Sequence, residues 1–178
     1  MGDLKELADL LDQLNEVGKR ISAVIGRPAN IGHAGEFIAS KVFDLALEDS
    51  ASTKAIDGHF NSGPLRGKSV NVKWYGKQES LLDITQGSLP DYYLVMTGPK
   101  TPSGSSRGGI RPWLVEQVFL FDAPQLVHDL KRSGVKIGIA TSIRKAYWES
   151  AEIYPRRQNR QYSITESQMD LLEMFRAK

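Results

Sequence analysis

The chain contains no cysteine. That excludes disulfides, thiol nucleophiles and thiolate metal sites, so any metal must sit on oxygen or nitrogen. Histidine is scarce as well: of the three, His33 and His59 stand without further ligands at zinc spacing. No apolar run is long enough to cross a bilayer, and the acidic, amphipathic beginning does not look like a secretory signal. The expectation is a cytoplasmic protein with no membrane partner. The glycine-rich stretch 98–110 lacks the Gly-Lys-Ser/Thr of a nucleotide-binding loop and opens no helix, which argues against NTP binding. What remains, at 178 residues with 40% hydrophobic and 25% charged side chains, reads as one soluble α/β domain over 1–178.

Charge is unevenly distributed. Residues 1–62 carry 6 basic and 10 acidic side chains, residues 63–178 carry 17 and 11. A basic flank of this kind suits a polyanion, although a solvated surface has the same composition. From residue 131 to 160 there are eight cations against Glu149 and Glu152. Arg144, Lys145, Arg156, Arg157 and Arg160 alternate there with Tyr147, Trp148, Tyr154 and Tyr162, a composition suited to phosphate contact and base stacking. Lys100, Arg107 and Arg111, in or beside the glycine-rich stretch, are the other candidates for a nucleic-acid backbone. The competing reading packs the aromatics into the core and leaves the stretch as plain solvent loop.

The stretch around which the chain is organised runs from Ala55 to Tyr75. Val70, Val72 and Trp74 alternate with Ser69, Asn71, Lys73 and Tyr75, the period of a strand with one apolar and one polar face. Asn71 and Lys73 therefore point the same way. Turn formers at 61–67 predict an antiparallel hairpin that returns Asp57 to their side. One carboxylate, one amide and one ammonium converge, a set that can hold a divalent metal through oxygen while lysine neutralises a phosphate.

Glu36 in Gly35-Glu36-Phe37, Asp57 in Ile56-Asp57-Gly58, and Asn71-Val72-Lys73 stand in the order of the stations of the PD-(D/E)XK nuclease superfamily, which residues 31–97 resemble. The chain departs at Asn71, where the family usually carries an acid, and in this it is more similar to Mrr-like members, which place an amide there. The resemblance implies a restriction-endonuclease-like three-layer sandwich: a central mixed sheet in an αβββαβ core, flanked by helices. It also implies metal-dependent hydrolysis of nucleic acid, expected to be DNA. Mg²⁺, or Mn²⁺ in its place, would be held by Asp57, the Asn71 side chain and the Val72 carbonyl. Glu36 would hold a second ion or orient the attacking water, and Lys73 would stabilise the phosphate charge or activate that water. Asparagine brings no charge and no general base. A binding module that has lost turnover is therefore the rival reading.

On this reading residues 1–27 form an amphipathic helix, 31–141 the nuclease-like core and 142–178 a basic extension with a terminal helix. Over 3–25, Leu4, Leu7, Leu11, Leu14, Ile21 and Ile25 recur at heptad spacing, and Leu10, Val17 and Val24 widen the stripe. A stripe this broad favours docking on the domain itself, while homodimerisation, and with it a dimeric interaction protein, stays open. A second helix is expected over 32–48 with Glu36 in its first turn. The remaining expectations are strands over 91–96, 113–121 and 135–140, and a helix capped by Asp122 that links the last two in a right-handed crossover. A capping box over 163–166 should start the last helix. Gln86 and Asp91 read as loop and turn residues, Asp44 and Glu48 as surface charge.

Overall fold

The computed structural model describes residues 2–48, 55–100 and 111–178. In chain order the elements are α1 (Gly2–Ile25), α2 (Ile31–Phe43), β1 (Leu45–Leu47), β2 (Gly58–Phe60), β3 (Ser69–Tyr75), β4 (Leu81–Leu82), β5 (Tyr92–Thr97), β6 (Gln117–Asp122), α3 (Ala123–Arg132), β7 (Thr141–Ser142), α4 (Lys145–Ala151), β8 (Glu152–Tyr154) and α5 (Glu166–Glu173). Six strands form one mixed sheet in the order β1-β2-β3-β5-β6-β8, and β4 pairs with β7 apart from it. Within the large sheet β3 and β5 are parallel, whereas the other neighbours are antiparallel.

The near-continuous apolar run of β5 is explained by burial on both faces. Leu94 and Met96 enter one core with Ile38, Val42 and Phe43 of α2 and Leu172 of α5. Tyr93 and Val95 enter the other with Leu126 and Leu130 of α3 and Trp148 of α4. Helices thus cover both faces of a mixed sheet, an α/β three-layer arrangement.

The alternation in β3 holds. Val70, Val72 and Trp74 face the α2 side, so Asn71 and Lys73 face the α3 and α4 side. Gly35 sets the approach of α2 to this strand: a Cβ there would lie 3.0 Å from Trp74 Cβ and 3.3 Å from the Met96 methyl. Gly35→Ala should therefore cost about 1 kcal/mol by overpacking and shift Glu36 on the next position. Urea unfolding checks the first effect.

Several expectations are corrected. The second helix ends at Phe43, because Asp44 takes a left-handed conformation (φ 53°) held by Ser62 and Asn61, and Leu45–Leu47 becomes a strand. Val135 to Ala140 form no strand. Their loop closes on itself through Thr141 and Gly138, and Ile139 is 91% exposed. The chain reaches β8 through α3, β7 and α4, so no parallel crossover follows β6. The parallel link is instead residues 76–91 between β3 and β5, which contain β4 and no helix. The strand expected from 113 begins at Gln117. Asp122 caps α3 as expected, accepting from the Gln125 amide at 2.9 Å. The last capping box pairs Thr165 with Gln168, two residues later than the sequence suggests. Finally, α1 does not dock along its length: it has no buried residue.

Candidate functional site

The site forms where β2 stops pairing with β3. Their register ends at Gly58 opposite Val70. Asp57, one residue before β2, donates its amide to the Val70 carbonyl (2.9 Å) and accepts from Glu48 through its own carbonyl (2.9 Å). The Val72 amide is then met by the Asp57 side chain, Oδ2 accepting at 2.7 Å. In a strand the N–H and C=O of one residue point to the same side, so the Val72 carbonyl is turned toward Asp57 as well.

Asn71 is 8% exposed, and its Oδ1 is a buried acceptor without a hydrogen-bond partner. Lys73 places Nζ 5.7 Å from the centre of the Tyr93 ring. Burial lowers the Lys73 pKa, and the negative charges of Asp57 and Asp83 oppose that fall. Burial raises the Asp57 carboxyl above its ordinary value, while the Val72 amide, Lys73 and Arg27 pull it back. Glu36 is raised by burial and then by the Asp57 charge, against Arg27 and His33. The two carboxylates are electrostatic neighbours across the α2–β2 junction. Glu36 lies in the second turn of α2, since Asn30 caps the helix and no acid stands in the first turn. Its position there is not explained by the helix dipole.

Two residues of this neighbourhood escape the sequence reading. Arg27, in the stretch read only as a helix stop, donates from Nη1 to Glu36 Oε2 (2.5 Å) and from Nη2 to the Glu48 carbonyl (3.2 Å). Asp83, in the unassigned segment 81–89, accepts from the Ala140 amide (2.7 Å) and gives its own amide to the Tyr75 hydroxyl (3.0 Å). Nothing in the local pattern marks either one. Their proximity depends on where the 76–91 link returns. Gln86 donates to the Ile137 carbonyl, and Asp91 accepts from Ser69 and Lys68, so both are structural. His33 bonds to Asn30 and Pro28, and His59 pairs with Glu48.

No protein-family model matches the chain, and no curated protein matches it significantly.

The candidate nucleic-acid contacts divide. Lys100, Lys145 and Arg156 line one cavity of about 280 Å³ with Gln78, Gln117 and Trp148. Lys145 pairs with Glu149, Arg111 with Glu79, and Arg157 with Glu166. Arg156 is bound to Glu152, whose side chain is fully buried. Arg144 is exposed, whereas Arg160 borders a different cavity beside Asp122 and Asp129. Arg107 lies outside the described residues. Trp148 and Tyr154 are core side chains at 4% and 0% exposure, which removes them as stacking platforms.

Among the described residues no three Asp, Glu, His or Cys side chains gather as a metal-binding group. The donors that the structure links are oxygen: the Glu36 and Asp57 carboxylates, both with raised pKa values, and the Val72 carbonyl on the Asp57 side of β3, while the orphaned Asn71 Oδ1 lies on the α3 and α4 face of that strand. A hard divalent cation fits such a set. It would relieve the repulsion between Glu36 and Asp57.

Proposed function

We propose that this chain is a metal-dependent phosphodiester hydrolase acting on nucleic acid, with DNA the expected substrate, on a restriction-endonuclease-like fold. The observation that carries the reading is the seating of the Asp57 carboxylate on the amide of the residue between Asn71 and Lys73, with Glu36 as its charged neighbour. The order α2-β1-β2-β3 and the covered mixed sheet support the fold assignment. The helix-free link from β3 to β5 departs from the αβββαβ pattern.

Asp57, Glu36, Asn71 and the Val72 carbonyl are the residues that would hold Mg²⁺, or Mn²⁺ in its place. When bound, such an ion polarises a phosphate oxygen and lowers the pKa of its water. Lys73 acts from the chain itself. Its ammonium form, disfavoured by burial and favoured by Asp57 and Asp83, donates to a non-bridging phosphate oxygen as negative charge develops there. Asn71 positions by hydrogen bonding and does not exchange protons. Glu36 becomes available as Arg27 gives way, and orients the attacking water. Lys100, Arg111, Arg144 and Lys145 contribute backbone contacts and set the salt dependence.

The pKa directions give a test independent of turnover. Both carboxyls are raised above their ordinary values of 4.5 and 3.8. Their contribution to the stability of the metal-free fold is therefore fully present below those values and lost as pH rises through the raised ones. A bound cation reverses this above the raised values. At ten times its dissociation constant, Mg²⁺ should stabilise the protein by about 1.4 kcal/mol, roughly 3–6 °C in Tm. Differential scanning calorimetry should show that gain at pH 7.5, its shrinkage toward pH 4.5, and its absence in Asp57→Ala.

One observation favours a second reading, a nucleic-acid-binding module without turnover: among the described residues no third acid joins Glu36 and Asp57 in a metal-binding group. Cleavage of plasmid, linear duplex, single-stranded DNA and RNA with Mg²⁺, Mn²⁺ or EDTA separates the two. Cleavage that needs metal is the expected result. Salt-sensitive binding without cleavage would establish the second reading, and neither binding nor cleavage would overturn both.

A further inference from the structure

Among the described residues the largest group of exposed apolar side chains lies on α1. Its 24 residues extend about 36 Å, yet none is buried. Leu4, Leu7, Leu10, Leu11, Leu14, Val17 and Val24 are all exposed, Leu4 at 73% and Val24 at 68%. Their heptad spacing puts them on one face, where Ala8, Asn15 and Ser22 flank the seam on one side and Leu10, Val17 and Val24 on the other. Of the charged residues of the helix only Asp3, in its first turn, falls on that face. Seven large apolar side chains exposed along one helix face form a contiguous patch of the kind that marks an interaction surface. Only the root of the helix meets the domain: Ser22 Oγ accepts from the Ala29 amide, and Ile21, Val24 and Ile25 border an apolar cavity of about 370 Å³ with Phe37, Trp74, Trp113 and Phe175.

Charge along the helix selects the occupant. Residues 2–16 carry five acids and Lys5, whereas residues 17–25 carry Lys19 and Arg20 and no acid. A parallel pair of such helices would set acid against acid. An antiparallel pair sets the acidic half of each copy beside the basic half of the other.

We infer that α1 is the dimerisation element of this protein, pairing antiparallel with α1 of a second copy. The acidic first turns of each helix then lie beside the root of the other, and their leucines cover the apolar cavity there. The two domains sit at opposite ends of the paired helices.

The absence of cysteine makes the orientation directly measurable. Sedimentation equilibrium of the full chain should give a dimer, and Leu7→Glu/Leu14→Glu should give a monomer that still unfolds cooperatively but whose Tm no longer depends on protein concentration, because both side chains are exposed in the domain. In an antiparallel pair the flanking positions meet end to end. Mixed Ala8→Cys and Ser22→Cys proteins should form the Ala8–Ser22 crosslink on oxidation, at least tenfold faster than either protein alone forms its like-with-like crosslink. A monomeric wild type, a dimer that survives the double substitution, an assembly larger than two, or faster like-with-like crosslinking would each overturn the proposal.

Discussion

Asp57→Ala should abolish metal-dependent cleavage, lowering the rate by about 10³-fold or more, and Lys73→Met should lower it by about 10²–10³-fold. Asp57 joins three features of the site: it caps the Val72 amide, it neighbours Glu36, and it supports the charge on Lys73. Its loss removes a ligand and also leaves Lys73 less compensated. Lys73→Met keeps an unbranched side chain of similar length and removes the ammonium that lies over Tyr93. It relieves the burial of a charge while losing attraction to Asp57 and Asp83, so stability should change by no more than about 1 kcal/mol. An inactive Lys73→Met protein with near-parental unfolding would tie the loss to chemistry. Single-turnover rates at saturating metal, paired with urea denaturation, make the measurement. Activity that survives both substitutions would mean the reacting centre lies elsewhere.

Arg156→Ala should show the opposite behaviour: a large effect on folding where a binding role would affect only nucleic-acid affinity. The Glu152 side chain is fully buried, and Arg156 reaches both of its oxygens from four residues away. Removing one partner of a fully buried pair costs about 3–5 kcal/mol. Arg156 is itself half exposed, so water screens part of that, and about 2 kcal/mol is expected, a Tm loss of roughly 4–8 °C. Glu152→Gln/Arg156→Ala should recover much of it, since no buried charge is then stranded. Lys145→Ala, by contrast, should leave Tm unchanged and reduce the salt slope of DNA binding by about one.

The difference between these two cations shows how far the sequence could be read. Composition identified a basic flank but could not tell Arg156, bound to a buried acid, from Arg144, which is exposed. The information lies in β8 pairing with β6, which carries Glu152 into the core. Local pattern sufficed where a strand's own alternation fixes its faces, as in β3, and where a cap is a neighbour in sequence, as with Asp122. It failed where the deciding contact comes from far away. Leu45–Leu47 continues a helical apolar pattern and is turned into a strand by its pairing with β2 and by Ser62 and Asn61, which hold Asp44. Val135 to Ala140 alternates like a strand but is folded into a loop whose Gly138 carbonyl accepts from Ile84. That Asp57 neighbours Glu36 and Lys73 was legible because a hairpin and one helix position them. Arg27 and Asp83 were not, because each arrives on a segment without periodicity. The breadth of the α1 stripe suggested docking, but α2 and α5 already cover that face of the sheet, so breadth alone did not identify the partner.

The large sheet has a further consequence for how copies meet. Its outermost strands, β1 and β8, are only three residues long. An unpaired outer strand is a template on which another chain can add by backbone hydrogen bonding, and brevity blunts that template. Open-ended growth by strand addition, the route to fibrous aggregates, is therefore discouraged at both margins. Concentrated protein should stop at a closed, finite assembly.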